Sequence, residues 1–167
     1  MSNQITKFGS AIALAIALSA SAAHSQTFGE SRSLVKDDAV QYLFPEQVTV
    51  IAGKATPVNL HFRIAPGLHI NSHAPSEDSL IPTTFSIPED KTVKLESATY
   101  PAGAALTLPS DPKTKLSVYT GEFAIQARIV ATPGNHLVEA KLRFQACNQS
   151  QCLPPRTIPV AIDVIGK

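Results

Sequence analysis

His136-Leu137-Val138-Glu139-Ala140-Lys141-Leu142-Arg143-Phe144-Gln145-Ala146 carries an apolar residue at every second position from Val138 onward. Val138, Ala140, Leu142, Phe144 and Ala146 share one face, and Glu139, Lys141, Arg143 and Gln145 share the other. A period of two marks a β-strand with one side in a core and one in water. Ile158, Val160, Ile162 and Val164 repeat the pattern, beginning twelve positions after Ala146. The two segments predict a C-terminal β-hairpin.

The same period recurs upstream. Phe123, Ile125, Ala127 and Ile129 alternate with Glu122, Gln126 and Arg128 in a strand expected over Ser117 to Val130, followed by a turn at Pro133-Gly134-Asn135. Val58, Leu60, Phe62 and Ile64 alternate with Asn59, His61 and Arg63. Shorter strands are expected at Gln47 to Ile51, Leu68 to Ser72, Leu80 to Ile87 and Thr92 to Tyr100. Pro82 places the third of these at a sheet edge, because proline has no N–H to give a ladder. Pro101 to Lys115 has no clear period and is expected to be a long loop, of the kind that is often functional. No segment after residue 25 has helical spacing. Seven to nine short strands separated by turns predict an all-β, immunoglobulin-like β-sandwich of antiparallel strands. Without Trp and without a widely spaced cysteine pair, an antibody-type domain is not expected.

At 167 residues, 44 % hydrophobic and 16 % charged, the chain is long enough for one domain with a substantial core. Residues 1–25 have the layout of a cleaved export signal: Lys7, then the apolar run Phe8 to Leu18, then the small-residue site Ala23-His24-Ser25. The run is shorter than the ~20 residues that span a bilayer. Residues 26–44 are expected to be a flexible lead-in and 45–167 the folded domain. Setting Lys7 aside leaves 14 − 1 = 13 basic against 13 acidic residues, a balance that attracts neither nucleic acid nor an anionic membrane. In the oxidising compartment implied by export, two cysteines usually join.

Those two are Cys147 and Cys152, with four residues between them at the expected tip of the hairpin. Continued alternation puts Cys147 on the wet face with Gln145. As a staple, so short a loop is worth about 2 kcal/mol on the chain-entropy model, which a domain of this size does not need. As a reagent, a hairpin tip offers an accessible sulfur to an attacking thiolate. The pair is not C-x-x-C and no helix follows to lower a thiol pKa, so a substrate or relay disulfide fits better than the attacking centre of a thioredoxin. Staple and reagent both stand on spacing alone.

Phe144-Gln-Ala-Cys-Asn-Gln-Ser-Gln-Cys-Leu-Pro-Pro155, followed by an alternating final strand, resembles the signature of the DsbD N-terminal domain family. These are periplasmic, immunoglobulin-like domains of thiol:disulfide interchange proteins. Gly67-Leu68-His69-Ile70-Asn71-Ser72 and Leu116-Ser117-Val118-Tyr119-Thr120-Gly121 are similar to further pieces of the pattern, which covers about Pro45 to Val164. The resemblance implies that Cys147 and Cys152 relay electrons. A membrane-embedded thiol reductase would reduce them, and they would reduce thioredoxin-like periplasmic proteins, making the chain one component of a protein-disulfide reductase system. It also implies a cap loop over the disulfide. By order along the chain this is Pro101 to Lys115, with Leu106 and Leu108 as lid candidates where some members carry an aromatic residue. His69 and Asn71 fall in a matched piece and are candidates for the site border. The sequence holds neither a run of transmembrane helices nor a C-x-x-C domain, so either a separate membrane protein is expected to reduce it or the domain is expected to serve another job. A monomer without small-molecule cofactor is expected.

Other chemistries fit less well. His69 and His73 have H-x3-H spacing, but on a strand they lie about 13 Å apart, too far for one metal ion, and no metal site is expected. No G-x-S-x-G elbow or phosphate-binding glycine motif occurs. The remaining alternative is an exported immunoglobulin-like binding module whose disulfide is purely structural.

Overall fold

The computed structural model describes residues 39–43, 47–89 and 91–167. The expected signal segment and residues 26–38 and 44 of the expected lead-in lie outside the described residues. In chain order the strands are β1 (Val40–Leu43), β2 (Gln47–Val50), β3 (Thr56–Ile64), β4 (His69–Asn71), β5 (Thr84–Ser86), β6 (Val93–Thr99), β7 (Ala104–Leu108), β8 (Asp111–Tyr119), β9 (Glu122–Ala131), β10 (Gly134–Phe144), β11 (Ala146–Cys147) and β12 (Arg156–Gly166). There is no helix among the described residues.

The strands form three four-stranded sheets, ordered β1-β3-β9-β6, β2-β12-β10-β5 and β11-β4-β8-β7. All pairings are antiparallel except β2 with β12. The predicted hairpin is the longest ladder, running from Gly134↔Gly166 to Phe144↔Arg156.

The alternation seen in the sequence becomes the core. Leu60, Phe62, Ile125 and Ile129 from the first sheet, and Ala140, Leu142, Phe144, Val160 and Ile162 from the second, are at most 1 % exposed and belong to one apolar cluster. Each large side chain buried there contributes roughly 1.5–3 kcal/mol. Phe62 packs between Tyr42 and Phe123, with ring centroids 5.4 and 5.3 Å away. The architecture is the expected all-β, immunoglobulin-like sandwich.

Three local expectations are corrected. Residues 40–43 are not lead-in: β1 pairs with β3 from Val40↔Ile64 to Leu43↔His61, and Val40 is 2 % exposed. The strand expected over Ser117 to Val130 is two strands. Gly121, with φ +61°, reverses the chain between β8 and β9 in a conformation that side chains with a Cβ rarely adopt. Pro101 to Lys115 is largely a hairpin, β7–β8, turning at Pro109-Ser110 with Leu108 opposite Asp111. Its residues are exposed or half-buried with no fully buried face, so the hydrophobic alternation that betrays a strand is missing. β5, just after Pro82, is an edge strand as expected.

Candidate functional site

The site is built where the chain leaves one sheet for another. β10 keeps β5 as far as Arg143 and β12 as far as Phe144. After Gln145, β11 pairs with β4 in the third sheet, as Ala146↔Ile70 and Cys147↔His69. Gln145 holds the bend, its side-chain amide donating to the Leu153 carbonyl at 3.2 Å.

This switch overturns the parity expectation for Cys147. The residue is 2 % exposed, not on the wet face, and Ala146 beside it is equally buried. Alternation assumes one sheet with one dry side, whereas β4 and β11 are buried on both. Ala146, Ile70 and Tyr119 face the main core cluster. Cys147, His69, Asn71 and Val118 form the opposite face, since cross-strand partners share a face and neighbours along a strand do not.

Cys147 and Cys152 are joined as a disulfide with Cα atoms 3.9 Å apart. The backbone explains their closeness. Asn148 N–H donates to Gln151 C=O at 2.9 Å and Leu153 N–H to Ala146 C=O at 2.8 Å. These bonds bracket Cys147 and Cys152 as a non-hydrogen-bonded antiparallel pair, the position where opposing Cα atoms approach most closely. The Asn148 side-chain oxygen accepts from the N–H groups of Ser150 (2.8 Å) and Gln151 (2.9 Å), shaping the turn. The two sulfur-bearing residues are unequal. Cys147 is buried, whereas Cys152 is exposed along with Gln149, Ser150 and Gln151.

The other candidates fall at different distances from the pair. His69 lies directly across from Cys147, 5 % exposed, and burial pulls its pKa below the ordinary histidine value. Asn71 is on the same face, 1 % exposed, and its side-chain amide donates to Ile81 C=O at 3.1 Å. Leu106 is half-buried on β7 and lines a groove of about 580 Å3 with His69, the Ala65–Gly67 turn, Thr120-Gly121 and Gln149 of the cysteine loop. Leu108 is half-buried at the end of the β7–β8 hairpin and does not line this groove. β7 itself is three strands from β11, about 14 Å at the usual inter-strand spacing.

Sequence reasoning missed the groups that hold β4 in place. Thr83, fully buried, donates its hydroxyl to Asn71 C=O at 2.6 Å. The Tyr119 hydroxyl accepts from His73 N–H at 3.1 Å and donates to Pro101 C=O at 3.0 Å, and burial raises its pKa. The His73 ring stacks on Tyr100 at 3.7 Å and its Nδ1 lies 3.0 Å from Thr83 C=O. Thr83 sits in a proline-flanked segment with no period. Tyr119 was within reach, as it belongs to the matched Leu116–Gly121 piece. Among the described residues no three His, Cys, Asp or Glu side chains are grouped to hold a metal ion.

The family model described as "Thiol:disulfide interchange protein DsbD, N-terminal" matches residues 39–163, from the start of β1 almost to the end of β12 and across both cysteines. The chain belongs to the DsbD N-terminal domain family. The crystal structure of the Neisseria meningitidis DsbD N-terminal domain in the reduced form is similar over 70 % of this chain and 80 % of that one, at 19 % identity and a TM-score of 0.45. No curated protein matches the sequence. Membership places the Cys147–Cys152 tip in a family of thiol:disulfide interchange.

Proposed function

We propose that this chain is a periplasmic electron relay, exported by residues 1–25, in which Cys147 and Cys152 accept two electrons from a membrane-embedded thiol reductase and pass them to thioredoxin-like proteins. Family membership supports interchange as the chemistry. The observation that carries the reading is the inequality of the two cysteines: an exposed Cys152 at a hairpin tip, backed by a buried Cys147.

The inequality orders the steps. A reductase thiolate reaches the Cys152 sulfur, its electron pair forms the intermolecular S–S bond, and the pair of the old bond leaves on Cys147. The second reductase thiol then attacks the mixed disulfide, freeing Cys152 and leaving both cysteines reduced. Forward transfer runs the same way. The Cys152 thiolate attacks a partner disulfide, and Cys147, held next to it by the flanking backbone hydrogen bonds, resolves the intermediate. Leu106 and the groove beside Gln149 border the approach to the tip, with Leu108 farther out on the same hairpin. Asn71 positions β4 beneath it.

Trapping tests the proposal. Cys147→Ser leaves the exposed sulfur without its resolving partner and is expected to accumulate mixed disulfides with thioredoxin-like periplasmic proteins. Cys152→Ser, with only the buried sulfur, is expected to capture far less. Equal silence from both variants, together with a reduction potential well below about −300 mV, would assign the disulfide to structure and the domain to partner binding.

A further inference from the structure

We propose that His69 is the proton donor to the Cys147 sulfur when the disulfide is opened. This rests on the exchange reading above and adds an acid to it.

The placement comes from the ladder. Cys147 and His69 are antiparallel partners on one sheet face, so their Cβ atoms lie about 4.5–5.5 Å apart. Both residues are at least nine-tenths buried. The other rings with known partners are committed: His73 Nδ1 lies 3.0 Å from Thr83 C=O, and His136 Nε2 lies 3.0 Å from Thr132 C=O. The His69 ring has no hydrogen-bond partner among the described residues, and it lines the groove that opens beside Gln149. A largely buried imidazole with no hydrogen bond to the described residues, carried by the cross-strand partner of the cysteine whose sulfur must leave as an anion, has a chemical use.

Cleavage through Cys152 creates that anion. A thiolate is costly in apolar surroundings, and disulfide exchange is faster when the leaving thiol is more acidic. In the acid form of the step, the attacking thiolate gives its electron pair to the new bond with Cys152. The pair of the Cys147–Cys152 bond goes to Cys147, which takes the proton of the His69 imidazolium and ends as a thiol. Neutral His69 is reprotonated from water through the groove. Above its pKa, neutral His69 still offers one N–H to the leaving sulfur, so assistance is weaker but not lost.

The charged and titratable groups around this imidazole are few. From β3 and β9, Arg63 and Glu122 line the groove and pair with each other at 2.7 Å. Thr120, after β8, lines the groove without a charge, and Tyr119, on the opposite face, is buried with a raised pKa and stays neutral. From the cysteine loop, Gln149 carries no charge, and Asn71 on β4 carries none. Burial lowers the His69 pKa, so its imidazolium form builds up at lower pH than that of an ordinary histidine.

The test uses dithiothreitol as the attacking thiol, with the full chain in its oxidised form. Reduction rates are measured from pH 5 to 8 and divided by the dithiothreitol thiolate concentration. The wild-type constant is expected to rise severalfold toward low pH, and that of His69→Phe to stay flat. His69→Gln, which keeps an N–H donor but cannot titrate, should retain part of the neutral-pH rate without the rise. Because a variant can fail to fold, the wild type is also titrated by NMR, where the His69 ring is expected to show different pKa values with the cysteines oxidised and reduced. Identical profiles in wild type and both variants, or an imidazole blind to the redox state, overturn the proposal. A His69-dependent profile in a protein that traps no partner would leave this proton donor standing while the relay reading fails.

Discussion

Reducing the disulfide should cost this domain little, and the amount can be worked out from the loop. Cys147 and Cys152 are five positions apart, so the cross-link removes only a short closure from the unfolded chain. The chain-entropy model gives about 2 kcal/mol for a ring this size, against about 4.7 for a loop of 100 residues. The folded side does not depend on the bond either. The eleven-pair ladder of β10 and β12 runs up to Phe144↔Arg156, and the Asn148–Gln151 and Leu153–Ala146 hydrogen bonds close the tip through backbone and not through sulfur. Urea unfolding of oxidised and reduced protein at neutral pH should therefore show one cooperative transition in each. The midpoint should move by roughly 1 M, for an m-value of 1–3 kcal/mol/M. Such a small penalty is what a bond that opens in each cycle requires. A loss above about 4 kcal/mol, or loss of cooperativity on reduction, would refute the reasoning and mark a structural staple.

Two further predictions concern β4. The folded pKa of His69 lies below its ordinary 6.5, so the unfolded chain binds more protons between the two values. The stability contributed by this burial is fully present above pH 6.5 and is lost as pH falls through the folded pKa. Urea midpoints taken from pH 7.5 down to 5 should decline more in wild type than in His69→Gln, and equal declines would show that the burial is not felt. Thr83→Val keeps the volume but removes the donor to Asn71 C=O. It should cost about 1–3 kcal/mol in thermal or chemical unfolding, and a change below about 0.5 would mean that the bond does not hold β4.

The candidate site was legible in part. The two cysteines and the hairpin carrying them are written in neighbouring residues, and so is the Gly67–Ser72 piece that brings His69 and Asn71 beside Cys147. Leu106 is a lid candidate through family order alone, and the segment around it is a hairpin and not a loop. Thr83, which fastens β4, gave no signal because a buried hydroxyl in an irregular segment leaves no period behind it. β1 was equally silent, since four residues are too few to show alternation.

What the chain states locally is the sandwich. β3, β9, β10 and β12 each have one dry face and one wet face, and a period of two records that directly. The disulfide partner of each cysteine is likewise settled by there being only two. What tertiary structure decided is how those cysteines differ. Parity along β10 put Cys147 in water, but the strand changes sheets at Gln145, and β11 is buried on both faces. Which strand a segment pairs with depends on residues far away in sequence. Only that pairing buries Cys147 opposite His69 and leaves Cys152 in solvent.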